Sequence, residues 1–428
     1  MAYRIEVSFM PDRTYMCIDL KSFYASAECS QLGLDPFKTN LVVADPSRGP
    51  GAICLAITPA MKALGIKNRC RLNEIPRSVE YITAIPRMNM YMRISAHIYG
   101  IYLKYIAPED IHVYSIDEVF IDATSYLLLY KKTPKELAIM LMDKVLEETG
   151  ITATAGIGTN MFLAKVALDI TAKHVPDHIG ILDEDSFKET VQHHEPITDI
   201  WGIGPGTASR LARYGAKNLY DVTLMSESLL KRLFGVNYEY LLDHANGREP
   251  CTIADILKYE TKSKSMSNSQ VLFRDYTRNE ALTVLKEMID GQVTEMIANG
   301  YYTDHVSLYV GYSGWTSPST GGSRKIEGGH TDSYRKIEAV IEKIYWETTR
   351  YNEPIRRLGI SLGNLTYECC RNLSLFEDFE KEEREHDILV AVSQIKNKYG
   401  KNAVLRGISL KDEATAKLRN TLVGGHNG

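Results

Sequence analysis

Residues 14–173 alternate between short apolar runs and segments with apolar residues at helical spacing. Residues 14–20 (TYMCIDL) predict a buried strand that ends in an acid, and residues 21–29 then predict a helix. The remaining predicted strands lie at 41–45, 52–58, within 112–124 and at 152–159, and the helices at 61–64, 88–105, 135–149 and 161–173. This alternation predicts a mixed sheet packed by helices, in an α+β or α/β core.

The pattern changes after residue 183. Short helices replace the strand signal over 183–257, and the polar run 261–270 (TKSKSMSNSQ) predicts a linker. Beyond it come strand-like runs at 271–273, 306–313 and 356–365 and helices at 278–298 and 332–350. The order β-α-β-β-α-β predicts a small split-βαβ domain. A tail over 369–428, with one helix at 387–399, is predicted to follow it.

Composition narrows the class of protein without naming an activity. With 44% hydrophobic and 24% charged residues the chain is typical of globular proteins, and no apolar run approaches the ~18 residues that span a bilayer. Seven cysteines without a CxxC pair, and a start without a signal sequence, predict reduced thiols in a cytoplasm. The net charge is −4, and residues 377–387 alone carry −5. Any nucleic-acid-binding surface must therefore be a local basic stripe.

Carboxylates occur at two places where a predicted strand meets a turn. Asp19 ends the first strand, and Asp117 and Glu118 lie between two β-prone runs, where a hairpin tip could bend both toward one ion. Taken alone, Asp19 is explained by helix capping and the acidic pair by a solvated turn. Taken together, three carboxylates on adjoining strands would supply the site that two-metal phosphoryl transfer to a nucleoside triphosphate needs.

Five stretches, in order along the chain, resemble the Y-family DNA polymerases, most closely the UmuC-like branch of Gram-positive bacteria. They are IDLKSFYASAE (18–28), PAMKALGI (59–66), YSIDEVFIDAT (114–124), TATAGIGTNMFLAKVALDITAKH (152–174) and DIWGIGPGTASRLARYG (199–215). The resemblance implies an α+β multidomain right hand of palm, fingers and helix-hairpin-helix thumb, with an added split-βαβ little finger. The implied divisions are palm (12–30 and 93–182), fingers (31–92), thumb (183–257), little finger (262–368) and C-terminal tail (369–428).

The resemblance gives the acids their roles. Asp19 and Asp117 match the metal-bridging aspartates, and Glu118 matches their partner acid near the primer end. Leu20 would lend a backbone carbonyl to the second ion. The implied cofactor is a pair of Mg²⁺ ions, for which Mn²⁺ can substitute.

Contacts to the incoming deoxynucleoside triphosphate are also implied by the resemblance. Phe23 and Tyr24 match the aromatic pair under the sugar, with Tyr24 as the steric gate that leaves no room for a 2′-hydroxyl. For both rings, packing of a helix face into the core is the alternative. The other implied contacts are Ser22, Thr58, Lys62 and Lys173.

The chain departs from the family pattern at two places. Many members have Tyr three residues before an Arg, where this chain has Pro59 and Lys62; the UmuC-like branch also has Lys at the second position, and Pro59 is given no role. Lys173 follows Lys165 by eight residues, one more than is usual. A π-bulge in the helix would absorb the extra residue.

Two further motifs predict macromolecular partners. The turn Gly202-Ile203-Gly204-Pro205-Gly206, with Arg210 nearby, predicts a helix-hairpin-helix grip on DNA phosphates, against the alternative of a plain helical hairpin. The run RNLSLF (371–376) resembles the bacterial sliding-clamp-binding peptide, against the alternative of an internal apolar latch. Its predicted clamp contacts are Asn372, Leu373, Leu375 and Phe376.

The predicted function is template-directed DNA synthesis of low fidelity, bypassing lesions in DNA repair and the SOS response. The predicted partners are primer-template DNA, deoxynucleoside triphosphates and a sliding clamp in a bacterial cytoplasm, with no membrane. A catalytically silent homologue that only binds DNA and the clamp is the first alternative, and the intact acids and Tyr24 argue against it. A palm-type nucleotidyl cyclase is the second, although a cyclase needs neither a helix-hairpin-helix nor a clamp peptide.

Overall fold

The computed structural model describes residues 13–261, 263–314, 317–367 and 379–428. The chain forms two compact units, Met1–Tyr259 and Glu260–Gly428. Among the described residues, no helix combines the length and apolarity needed to cross a membrane.

The first unit begins with alternating strands and helices and ends with helices. The strand predicted at 14–20 and the helices predicted at 88–105 and 135–149 are confirmed, whereas β8 was not predicted. The elements are β1 (Tyr15–Leu20), α1 (Phe23–Leu32), β2 (Leu41–Val43), β3 (Ala56–Ile57), α2 (Pro59–Ala63), β4 (Ile82–Ala84), α3 (Met88–Tyr102), β5 (Ile111–Val113), β6 (Glu118–Asp122), α4 (Thr124–Tyr130), α5 (Pro134–Thr149), β7 (Ala153–Gly158), α6 (Met161–Val166), β8 (Ile179–Leu182), α7 (Glu184–Thr190), α8 (Pro205–Ala212), α9 (Leu219–Thr223), α10 (Glu227–Phe234), α11 (Tyr238–Ala245) and α12 (Ile253–Lys258).

A five-stranded sheet carries the acids, in the order β5-β6-β1-β7-β8. Its central strand, β1, runs antiparallel to β6 on one side and to β7 on the other. Because side chains alternate along a strand, Ile18 and Leu20 face the core formed with α3 and α5. Cys17 faces the opposite core, formed with α6. Asp19, two residues on, therefore belongs to the face that α6 covers.

α6 packs closely on β7 because glycines occupy the contact. A Cβ added at Gly156 would lie 2.0 Å from the carbonyl oxygen of Ala164, and one at Gly158 would lie 2.4 Å from the Ala164 amide nitrogen. Neither distance is possible between real atoms, so any larger residue would push the helix away. The small residues of the run 152–159 thus bring α6 down onto the acid-bearing face of the sheet.

The predicted fingers region has a three-stranded sheet of its own, in the order β3-β2-β4. The strand predicted over 52–58 is reduced to Ala56–Ile57. The reason is that Ile53 bridges to Arg71, and the Cys54 N–H donates to the Cys70 carbonyl, instead of pairing with β2.

The second unit contains the predicted β-α-β-β-α-β order, with the sheet arranged β11-β10-β12-β9. The helices predicted at 278–298 and 332–350 are confirmed. The elements are β9 (Met266–Tyr276), α13 (Arg278–Ala298), β10 (His305–Tyr312), β11 (Thr320–Lys325), α14 (Tyr334–Thr348), β12 (Ile355–Gly363), α15 (Phe379–Tyr399), α16 (Ala416–Arg419), β13 (Leu422–Val423) and β14 (His426–Asn427).

The polar run predicted as a linker over 261–270 is wrong in part, since β9 already begins at Met266. β9 is an edge strand whose first six residues alternate between half-buried and exposed, so this part of the strand can form without an apolar run. β11 (TGGSRK), on the other edge, was missed for the same reason. Both errors follow from reading strands by hydrophobicity alone.

The C-terminal helix is longer than the predicted 387–399 and packs against the second unit. Leu389 of α15 is buried in the core that α13 forms with the sheet. Asp290 of α13 pairs with Lys396 at 3.3 Å and with Arg406 at 2.5 Å. Glu287, also on α13, accepts the Thr415 N–H at 2.7 Å. The described residues after 379 are therefore part of this compact unit.

Candidate active site

The three predicted acids meet at one end of the five-stranded sheet. Asp19 is the penultimate residue of β1 and lies opposite Glu118, the first residue of β6. Asp117 is in the turn before β6, where its carbonyl accepts the Leu20 N–H at 2.9 Å. The Ser115 hydroxyl donates to its carboxylate at 2.6 Å, which fixes the side chain. The turn therefore places a second carboxylate beside the end of β1.

The crowding of these acids has an electrostatic cost. Burial, followed by the charges of Asp117 and Glu118, raises the pKa of Asp19 to about 7, although the Lys165 ammonium acts in the opposite direction. The ionised form of an aspartate in this position is stabilised by a cation that its carboxylate oxygens can coordinate. Carboxylate oxygens and a nearby backbone carbonyl are the donor set of Mg²⁺ and Mn²⁺. The chemistry of the residues thus fits a divalent ion.

Glu118 is oriented differently from the two aspartates. It is buried, and its Oε1 accepts from the Lys165 ammonium at 2.7 Å and from the Cys17 thiol at 3.0 Å. Lys165 also pairs with Asp169, at 3.0 Å. Within the part of the chain that the structure describes, no three His, Cys, Asp or Glu side chains are gathered as metal ligands. The structure therefore places Asp19 and Asp117 side by side and holds Glu118 on Lys165.

Sequence reasoning gave Lys165 no role in the site. Burial lowers the pKa of Lys165, but the charges of Asp169 and Glu118 raise it by more. The ammonium therefore stays charged. The available signal was a lysine inside an otherwise apolar helix segment, MFLAKV, with an acid four residues on. A buried ammonium is costly unless an acid pairs with it, and Glu118 was the acid that the sequence offered as its partner.

The predicted aromatic pair differs in exposure. Phe23 is buried in the core, as the packing alternative requires, whereas Tyr24 is only half-buried. The Tyr24 ring stacks on Tyr91 of α3, with centroids 4.6 Å apart. The Tyr91 hydroxyl in turn donates to the buried Glu28 at 2.6 Å. Burial and the charge of Asp117 raise the pKa of Tyr24, which places this ring near the acids.

The predicted triphosphate lysines lie near one another. Lys62 on α2 is exposed, but partial desolvation and Lys173 lower its pKa while Asp19 raises it. A π-helical segment, Ala167–Thr171, follows α6, so the predicted π-bulge is confirmed. It absorbs the extra residue before Lys173.

Ser22 and Thr58 are both turned inward. Ser22 has a left-handed backbone (φ 51), and its hydroxyl is buried without a hydrogen-bond partner in the described structure. Thr58 is fully buried and its hydroxyl accepts the Leu41 N–H at 3.1 Å. That bond ties α2 to the small sheet of the predicted fingers.

The thumb turn has the predicted helical surroundings. Gly204 immediately precedes α8, and a Cβ added at Gly204 or Gly206 would meet open space. Gly202 has φ +83 and faces the Tyr240 hydroxyl. Arg210 donates to the Leu233 carbonyl at 2.6 Å, so its guanidinium is already engaged within the thumb. The predicted clamp contacts at 372–376 lie outside the described residues.

Comparison with known proteins identifies the family. Models of the impB/mucB/samB family and of its C-terminal domain match residues 18–169 and 263–375. UvrX of Bacillus subtilis, a protein named for UV-damage repair, is 31% identical over 432 residues, covering 99% of each chain. The chain belongs to this family, the Y-family DNA polymerases.

Other Y-family proteins agree with this assignment. DNA polymerase IV 2 of Bacillus subtilis is 29% identical over 431 residues, covering 97% of this chain and 99% of that protein. A solved Y-family DNA polymerase chimera covers 83% of this chain with a TM-score of 0.63 at 21% identity. The predicted family, fold class and polymerase activity are confirmed. A Y-family polymerase acts on DNA and deoxynucleoside triphosphates with divalent metal.

Proposed function

We propose that this Y-family polymerase bypasses damaged template positions at low fidelity, by two-metal phosphoryl transfer centred on Asp19 and Asp117. The observation that carries the proposal is the placement of the acids, with Asp19 opposite Glu118 in the sheet and Asp117 in the turn that bonds to the end of β1. Such a cluster of carboxylates is stabilised by cations and little else. The name of UvrX, a UV-damage repair protein, supports the assignment to damaged DNA.

In this mechanism Asp19 and Asp117 would hold the ions together with the Leu20 carbonyl, and Glu118 would lie next to the primer end. A pair of Mg²⁺ ions held there, or Mn²⁺ in their place, would supply activation of the attacking hydroxyl and neutralisation of the leaving pyrophosphate. The ammonium of Lys165, on α6, balances the charge of Glu118. It thereby limits the net negative charge that the bound cations must offset.

Replacing Asp117 with Ala tests the metal assignment. Losing a main ligand should remove several kcal/mol of transition-state stabilisation, so primer extension in Mg²⁺ should fall below detection. Affinity for primer-template DNA should stay near that of the parent, measured by fluorescence anisotropy. Asp143→Ala, at an exposed position of α5, is the matched control and should extend normally.

Substantial extension by the Asp117→Ala protein would refute the assignment of this acid. Failure of the parent protein itself to extend primers, with DNA binding intact, would instead favour the catalytically silent homologue. Primer extension by the parent protein, run beside the variant, distinguishes the two outcomes.

Tyr24 is the proposed steric gate. Its ring is held by stacking on Tyr91, and Tyr91 is anchored by Glu28, which also pairs with Arg87. A ring fixed in this way can move away to admit a 2′-hydroxyl only by losing its stacking contact with Tyr91. The discrimination therefore depends on the ring and not on the phenol hydroxyl.

Single-nucleotide kinetics test this gate. Tyr24→Ala should raise ribonucleotide incorporation sharply, with a smaller effect on deoxynucleotides, because the wall below C2′ is removed. Tyr24→Phe keeps the ring and should keep the discrimination. Unchanged discrimination in Tyr24→Ala would move the gate elsewhere, with Phe23 the next candidate.

We also propose that residues 372–376 bind a sliding clamp. The proposal rests on the sequence of this run, in which Leu373, Leu375 and Phe376 are apolar within a polar segment. Tethering to a ring raises the effective concentration of the polymerase at primer ends without a new contact at the active site. Asn372 is shorter than Gln by one methylene, so the affinity should be modest.

Replacing Leu375 and Phe376 with Ala should abolish clamp-stimulated synthesis, because apolar anchors usually dominate the affinity of docking peptides. Extension of short primers without the clamp should be unchanged. Clamp binding by surface plasmon resonance gives the direct measurement. If the double variant binds the clamp as tightly as the parent does, the run is an internal latch.

A further inference from the structure

Lys21 is a further lysine near the acids in sequence, two residues after Asp19, and sequence reasoning gave it no role. It follows Leu20 at the end of β1, and its backbone is fixed from two sides. Its N–H donates to the Thr152 carbonyl at 2.9 Å, and its carbonyl accepts the Ser26 hydroxyl at 2.6 Å. The side chain therefore starts from a rigid point of the sheet, one residue past the metal-binding strand.

The ammonium of Lys21 is held in place by His178. The two nitrogens, Nζ and Nε2, are 3.2 Å apart. Since an ammonium can only donate, the imidazole accepts in its neutral form. The ammonium of Lys21 also lies over the Phe37 ring, with Nζ 5.4 Å from the ring centroid. These two contacts fix the position of the charge.

His178 is itself firmly held. It has a left-handed backbone (φ 56), which is uncommon for a residue other than glycine. Its N–H donates to the Val175 carbonyl at 3.1 Å, and its carbonyl accepts the Ala155 N–H at 3.0 Å. The imidazole is thus anchored to β7, next to the strand that carries Lys21.

Lys21, Lys62 and Lys173 are neighbouring cations, none of which forms a salt bridge within the described residues. The charge of Lys62 interacts with those of Lys21 and Lys173, and also with that of Asp19. Within the described residues none of the three pairs with a carboxylate within 4.0 Å, in contrast to Lys165, which pairs with two. Neighbouring cations without counter-ions repel one another, and a polyanion would relieve the repulsion.

We infer that Lys21 binds the triphosphate of the incoming nucleotide and that His178 is the positioning residue that directs its ammonium. The ligand class is a polyphosphate anion, either the bound nucleotide or the departing pyrophosphate. The inference rests on the proposed function, because the same acids and the same lysines define the site. Lys21 adds a contact from the residue that immediately follows β1.

The experiment compares Lys21→Met with the parent in steady-state single-nucleotide kinetics. Methionine keeps an apolar stem against Phe37 while removing the charge. Loss of a charge-assisted contact should raise the KM for the nucleotide about tenfold, with kcat little changed because the contact is made before and during reaction. Inhibition by inorganic pyrophosphate should weaken by a similar factor, and Lys21→Arg should restore most of both.

His178 gives a second test with a built-in rescue. His178→Ala should raise the KM in the same direction by a smaller factor, since Lys21 keeps its charge but loses its orientation. His178→Gln retains an acceptor and should recover part of the loss. Lys104→Ala is the matched control, because Lys104 pairs with Glu148 on the helical face of the palm and should leave the KM unchanged.

Titration of the DNA-free protein with inorganic tripolyphosphate, followed by calorimetry, separates this inference from the proposed function. The parent should bind about tenfold more tightly than Lys21→Met. Equal tripolyphosphate affinity and equal KM in a folded Lys21→Met protein would overturn the inference while leaving the polymerase assignment intact. Absence of primer extension by the parent would overturn the proposed function, and the titration would still decide whether Lys21 holds a polyphosphate.

Discussion

The repulsion among carboxylates at the end of β1 governs the rest of the active site. Asp19 lies opposite Glu118 in the sheet, and the turn before β6 adds Asp117 beside them. Burial strengthens every charge interaction in this region, so each acid requires a cation in the right place. The protein supplies one of these cations itself, Lys165, and we propose that a divalent ion supplies the charge that the two aspartates need.

Close packing makes this arrangement possible. Lys165 reaches Glu118 because glycines at 156 and 158 let α6 lie directly on β7. The π-helical segment Ala167–Thr171 then changes the register of the following turn, which carries Lys173. One helical segment thus carries two kinds of lysine. Lys165 pairs with protein acids, whereas Lys173, in a neighbouring stretch, has no such partner among the described residues. The first kind stabilises the acids, and we propose that the second kind binds phosphate.

The sequence predicted the parts of this fold that local patterns encode. The acid at the end of an apolar strand and the acidic turn were visible as local patterns, and the π-bulge followed from a spacing one residue longer than that of the family which the chain resembles. The pairing of Glu118 with Lys165, and of Tyr24 with Tyr91, was not visible, because each joins residues far apart in the chain through packing. β9 and β11 were misjudged because a polar edge strand needs little hydrophobicity.

The pH dependence of stability tests the central claim, the crowding of Asp19, most directly. Its pKa is 3.8 in the unfolded reference and about 7 in the fold, so the folded state holds the proton more tightly. The stability that this proton contributes is complete below the unfolded value and is lost as the pH rises through about 7. In the presence of a chelator, the free energy of unfolding of the parent, measured relative to that of Asp19→Asn, should therefore decrease as the pH rises from about 3.8 to about 7. Adding Mg²⁺ should reverse this decrease. A difference between the two proteins that does not change with pH in chelator would contradict the account.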